Sequence, residues 1–199
     1  MITTQQNPFK RQSIFQCLFK TFLCYSLLFI ILGIAYPYAV TYTSLSLFKD
    51  KASGSLIKYE DRIIGSKLIG QDFSFDRTLF QSRPSVSNYD SLASGGSNYS
   101  IANQKQLSAI NKRKDNLLYL NNFEEIPSEM LTASASGLDP HISKKNAYYQ
   151  AAFIAKARKI NLANLHALID KHSIKHMLSN DYYVNVLELN LDLQKLTKE

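Results

Sequence analysis

Residues 21–48 read TFLCYSLLFIILGIAYPYAVTYTSLSLF, and no side chain among them carries a formal charge. A helix needs about 20 predominantly apolar residues to cross the hydrocarbon core of a bilayer, and residues 22–40 meet that requirement. Core helices of globular domains rarely run so far without a charge. A cleaved signal peptide has a shorter apolar region, roughly 7–15 residues, that ends in a small-x-small site. Here Pro37 and large tyrosines stand where that site would fall. The stretch therefore reads as an uncleaved membrane anchor. It divides the chain into a basic arm (1–20), a transmembrane helix with its uncharged flank (21–48), and one domain (49–199).

Lys10, Arg11 and Lys20 precede the span with no acidic residue, whereas Lys49, Asp50 and Lys51 follow it. The positive-inside bias puts the N-terminus in the cytoplasm and residues 49–199 outside it. Charged groups inside spans mark ion paths; with no Asp, Glu, Lys, Arg or His, this span is not expected to be one. Gly33, Ala35 and Ala39 are small enough to admit a neighbouring helix and are candidate partner contacts. Pro37 removes one helical hydrogen bond, which predicts a kink or a helix end.

The net charge is +7 in 199 residues. Three of those charges sit in the arm, leaving +4 for everything beyond residue 48. That is weak support for nucleic-acid binding, and no basic run is interleaved with aromatics. Both cysteines, Cys17 and Cys24, lie in or beside the apolar segment. The domain can therefore hold neither a disulfide framework nor a cysteine-based zinc site.

Residues 50–55 (DKASGS) read as a linker. The apolar pairs Ile63-Ile64 and Leu68-Ile69, bounded by Gly65 and Gly70, predict short strands. Phe73, Phe75 and Phe80 read as core. Residues 81–104 are polar and aperiodic; a structureless stretch of that length is usually functional or disordered, and the tyrosines and leucine that punctuate it are not the composition of disorder. Residues 105–122 predict a helix that ends before Pro127. Asp139-Pro140 predicts a turn. Ser143 is placed to cap a helix running to about Lys159, and Asn161 a second one burying Leu162, Leu165, Leu168 and Ile169. Residues 183–187 predict a strand. Beyond them the apolar alternation of a strand competes with helix-favouring Leu and Glu. The fold class is thus α+β: a single transmembrane helix followed by one mixed α/β extracytoplasmic domain.

Three motifs bear on chemistry. In LASGGSN (residues 92–98), Ser94, Gly95, Gly96, Ser97 and Asn98 could form a backbone nest for phosphate. A phosphate loop, however, also needs Gly-Lys-Ser/Thr leading into a helix, and this one lacks the lysine. Both glycines are expected at positive φ. His172 and His176 are four apart, but no HExxH pattern supports a metal site. Asp139, His141 and the many serines allow a Ser–His–Asp hydrolase, yet there is no GxSxG elbow. Residues 131–143 (LTASASGLDPHIS) alternate small polar residues with alanine. Thr132, Ser134, Ser136 and Gly137 would let another backbone approach and hydrogen-bond, either a partner's or one within the domain.

Taken together, the blocks GSKLIGQDF (65–73), FQSRPS (80–85), YDSLASGGSN (89–98), TASASGLDPHIS (132–143) and VNVLELNL (184–191) resemble the C subunit family of the bacterial Kdp potassium-transporting ATPase. Their order after an uncleaved N-terminal span carries the resemblance, although Ala135 stands where the family often has glycine. The resemblance implies a non-catalytic subunit in the bacterial plasma (inner) membrane, passing it once. Its implied partners are the potassium-translocating and ATP-hydrolysing subunits, which it would hold together. It also implies a catalytic chaperone that raises the ATP affinity of the ATPase subunit, so ATP is the only cofactor in view. The derived topology weighs against that nucleotide contact, because an extracytoplasmic loop does not meet cytoplasmic ATP. A free-standing anchored envelope binding protein and an anchored hydrolase are the alternatives.

Overall fold

The structure, a computed structural model, describes residues 13–120 and 125–196. Lys10 and Arg11 of the basic arm, and residues 121–122 of the helix expected over 105–122, lie outside the described residues. The chain divides into two compact units, Met1–Ser53 and Gly54–Glu199.

Among the described residues the N-terminal unit is dominated by one long apolar helix, α1 (Ile14–Leu47), of 34 residues, none of them buried within the chain. At ~1.5 Å per residue it is about 50 Å long, more than the hydrocarbon core requires. The helix does not end at Pro37. Instead the turn ahead of it, Ile30–Ala35, widens to π geometry, and Tyr36 N–H donates to Ile31 O. Proline offers no N–H and its ring crowds the carbonyl four residues back, so an added residue in the turn accommodates it. A short helix α2 (Lys49–Ala52) follows.

The second unit begins with an antiparallel hairpin, β1 (Leu56–Tyr59) and β2 (Arg62–Ser66). Ile63-Ile64 falls in β2 as the sequence predicts. Leu68-Ile69 lies instead in a turn, because Ile69 N–H closes back on Ser66 O and Gly70 N–H is taken by Leu138 O at 2.7 Å. Then come α3 (Gln104–Asn116), a 3-10 turn (Leu118–Leu120) and α4 (Ser128–Leu131). Beyond these lie β3 (His141–Ser143), α5 (Lys144–Arg158), α6 (Leu162–His172), β4 (Ile174–Lys175), β5 (Tyr182–Asn185) and α7 (Val186–Leu196). The strands β3, β5 and β4 form an antiparallel sheet with β5 central. The architecture is α+β.

Local chemistry sets the helix starts. The side chains of Asn103, Ser143 and Asn161 each accept an N–H from the first turn of α3, α5 and α6, relieving unpaired amides there. Lys159, in left-handed conformation, closes α5. Between 186 and 196 the helix prevails over the strand. Asn185 turns its side chain to cap Glu188 N–H, and Val186, Leu189, Asn190 and Leu193 then share a buried stripe of helical period. The core joins Phe73, Leu79 and Phe80 to α5, α6, α7 and the sheet. Two expected core residues lie at the surface: Phe75 is 78% exposed and Leu162 40%. Phe75 sits in a turn that already spends Phe73 and Phe80 on the core. Leu162 occupies the first position of α6, before its stripe turns inward.

Candidate functional site

Residues 67–103 carry neither helix nor strand among the described residues, so their peptide groups need other partners. Buried amide side chains supply them. Asn190 takes Phe80 N–H at 2.8 Å and donates to Phe80 O at 2.9 Å. Gln150 does the same for Gln81, accepting its N–H at 2.7 Å and donating to its carbonyl at 3.3 Å. Gln81 Nε2 reaches the carbonyls of Phe73, Asp76 and Leu79. Asn185 donates to Lys67 O, and Ser82 to Gln71 O. The loop is irregular in shape and fixed in place.

The two small-residue motifs are built onto each other. Gly95 N–H and the Ser94 hydroxyl both donate to Ser136 O, at 2.8 and 3.0 Å. Ser134 N–H donates to Pro84 O, and Gly137 N–H to Ser134 O. A Cβ on Gly96 would stand 2.9 Å from Ala135 O, and one on Gly137 would stand 2.8 Å from Gly95 O. Of the glycines in these two motifs, Gly137 has positive φ (+69°) and Gly95 and Gly96 do not. The expectation of positive φ at both is thus corrected. Gly96 is required by close packing rather than by conformation, and Gly95 has open space where a Cβ would go. Positive φ falls on Asn98 instead, where a short polar side chain tolerates it. Within the nest, Gly95 N–H and the Ser94 hydroxyl are already spent on protein. Ser97 and Asn98 follow at the surface side of the loop, with Ser97 half-buried and Asn98 exposed.

The other motif residues are accounted for as follows. Thr132 hydroxyl donates to Ser128 O, and Ser136 Oγ accepts Leu138 N–H. Ser134 is buried, and its hydroxyl has no partner among the described residues. In α1, Ala35 and Ala39 are one turn apart and share a face, whereas positions two apart in a helix point to different sides, which separates Gly33 from Ala35. The Phe29 ring lies 3.6 Å from where a Gly33 Cβ would be.

Beside the block runs a cavity of about 690 Å³, lined by Arg83, Glu129, Asp139, His141, His176 and Asp181, among others. Arg83 pairs with Asp139 at 3.1 Å. Tyr89 donates its phenol to Arg83 O at 2.7 Å, and burial pushes its pKa up to about 12. His141 stacks edge-on against Tyr183 at 4.8 Å, with Nδ1 3.9 Å from Asp139. Ser143 directs its hydroxyl to Glu129 at 2.7 Å, not to His141. His172 pairs with Asp192 at 2.9 Å, while His176 accepts Leu178 N–H. The two histidines thus have separate partners.

Burial holds the His141 pKa below its ordinary 6.5, against the opposing pull of Asp139 and Glu188. A lowered histidine pKa means the unfolded chain binds the proton more tightly. Stability is therefore full above pH 6.5 and declines as the pH falls from there towards the folded-state value. The thermal midpoint of the full chain, measured against pH, should drop over that interval, and His141→Gln should reduce the drop.

The amide clamps were not read from the sequence. Their one signal is an amide inside an apolar stripe, Asn190 between Leu189 and Leu191, which in a buried helix face calls for a backbone partner.

Comparison with known proteins places this architecture. The family described as KdpC, "K+-transporting ATPase, c chain", matches residues 18–195. A "Potassium-transporting ATPase KdpC subunit" of Pectobacterium atrosepticum is 43% identical over 176 residues, covering 85% of this chain and 91% of that protein. One from Caldanaerobacter subterraneus is 39% identical, covering 85% and 90%. One from Staphylococcus aureus is 38% identical, covering 87% and 95%. The match takes in both the apolar helix and the braced loops of the second unit, and the chain belongs to the KdpC family, the c chain of the K+-transporting ATPase.

Proposed function

We propose that this chain is a non-catalytic subunit of a potassium-importing pump, and that it holds the potassium-translocating and ATP-hydrolysing subunits together. The observation that carries this reading is α1: a 34-residue helix, uncharged from Thr21 onward, with none of its residues buried by the chain itself. Such a surface needs lipid or other helices around it, and a span without charged side chains offers no path of its own for an ion. The N-terminus lies in the cytoplasm and the α+β domain outside it, in the bacterial inner membrane. Two linked contacts, span and domain, raise each other's effective concentration.

The braced loops suit docking. Their hydrogen bonds are closed before a partner arrives, so little ordering entropy is lost on contact. A role in raising the ATP affinity of the ATPase subunit would then act through protein contact. The donors at Ser94 and Gly95 are engaged by Ser136, which leaves the 94–98 loop poorly equipped as a phosphate cradle.

Two experiments test this. A phosphatase fused after residue 199 should be active, and a cytoplasmic reporter at the same site silent; the reverse pattern overturns the orientation. Ala35→Leu should lower the yield of complex recovered through this chain, because added bulk on the Ala35–Ala39 face prevents close helix approach. Undiminished yield would return that face to lipid.

A further inference from the structure

The widened turn of α1 leaves the Leu32 carbonyl without a backbone donor among the described residues. In an α-helix the carbonyl of Leu32 would accept from Tyr36, but Tyr36 N–H goes to Ile31. In a π-helix it would accept from residue 37, which is proline and has no N–H. The carbonyl of Gly33 loses its α-helical donor to the same proline. Among the described residues no local side chain substitutes. Thr43 bonds back to Ala39 O further along the helix, but Ala35 and Tyr36, one turn beyond Leu32, have no hydroxyl that can fold back. The wide turn is flanked by Ile30, Ile31 and Ile34, all exposed, and it lies near the middle of the 34-residue helix. At that depth neither headgroups nor interfacial water are at hand, and an unpaired carbonyl in hydrocarbon is costly.

We infer that the Leu32 carbonyl is a docking point for a hydrogen-bond donor, a Ser, Thr, Asn or Gln side chain, on a transmembrane helix of a pump partner. This rests on the reading that α1 packs against the pump's other subunits. It adds the chemistry of the contact: the partner helix is polar at one position, at the depth of residue 32. Apolar packing alone would leave the carbonyl bare, and cross-helix bonds from such side chains recur in membrane bundles. The contact also fixes the register of the two helices, since the carbonyls that lose their donors lie together at residues 32–33.

The sequence makes the test specific, because Leu32–Gly33 is its single Leu–Gly pair. The full chain, carrying carbonyl-13C leucine and 15N glycine, is assembled with unlabelled partner subunits in lipid bilayers. A dipolar-filtered solid-state NMR spectrum then contains the Leu32 carbonyl alone. Its resonance should move downfield, into the hydrogen-bonded helical range, in the complex relative to the lone chain in the same lipid. Pro37→Ala restores an N–H, closes the turn and should reduce complex yield while the helix still inserts. A complex that forms with the Leu32 resonance unmoved overturns this inference and leaves the assembly role standing. A downfield resonance already present in the lone chain assigns the carbonyl to water or lipid and also overturns it. Failure of the labelled wild-type chain to assemble at all overturns the assembly role itself, and this inference with it.

Discussion

Asn190→Ala is expected to remove roughly 2–5 kcal/mol from the stability of the C-terminal domain, since each buried backbone group left unpaired costs about 1–3 kcal/mol. Asn190 is 2% exposed and meets both the N–H and the carbonyl of Phe80, at 2.8 and 2.9 Å. Phe80 is itself fully buried, so no water replaces the lost amide. Native domains hold only about 5–15 kcal/mol in reserve, and the variant domain should therefore unfold at a markedly lower temperature. The near-ultraviolet circular dichroism of the tyrosines, followed during heating of the full chain in mild detergent, reads this directly. Lys195→Ala removes only an exposed ion pair with Asp192 and should leave the midpoint close to that of the wild type. Equal midpoints for Asn190→Ala and wild type would mean that the loop is not held by this clamp.

Gly137→Val is the second large effect. Gly137 has φ +69°, a region that costs an L-residue about 1–2 kcal/mol, and more when the side chain is β-branched. Its Cβ would also stand 2.7 Å from Ser87 Oγ and 2.8 Å from Gly95 O. Ser87 can rotate, but the Gly95 carbonyl belongs to backbone whose N–H is fixed on Ser136. Together these effects amount to roughly 2–5 kcal/mol. The strain falls on the contact between the two small-residue motifs, so the 85–97 loop should detach before the domain unfolds. Limited proteolysis should cut within that loop in the variant and spare it in the wild type. Gly95→Ala, with open space around it, should resist cleavage like the wild type.

Local signals in the sequence were sufficient for the parts whose partners are near in the chain. The uncharged run specified α1, and Ser143 and Asn161 marked the starts of α5 and α6 through bonds to amides two or three residues on. The polar, aperiodic composition of residues 81–104 marked an irregular stretch, and its tyrosines set it apart from disorder. What composition does not show is distance. Phe80 and Asn190 are 110 residues apart, Gln81 and Gln150 69, and Lys67 and Asn185 118. No periodicity announces such pairs. The same limit explains the residues that were misplaced. Phe75 resembles Phe73 and Phe80 in type but lies on the outside of the turn they form. The Leu187–Leu193 alternation looked strand-like until Asn185 capped a helix. The small-residue motif at 132–137 admitted two readings, a partner's backbone or the domain's own. Its bonds to Pro84, Ser94 and Gly95 show that the domain uses much of it internally.

The claim that this chain binds together the larger subunits of a potassium pump is tested most directly by recovering the tagged full-length chain from bacterial membranes in mild detergent and measuring the intact assembly by native mass spectrometry. The account predicts one assembly containing this chain with the potassium-translocating and ATP-hydrolysing subunits, and separation of those two subunits from each other when the chain is deleted. A chain recovered alone, or two large subunits that stay together without it, would contradict the account.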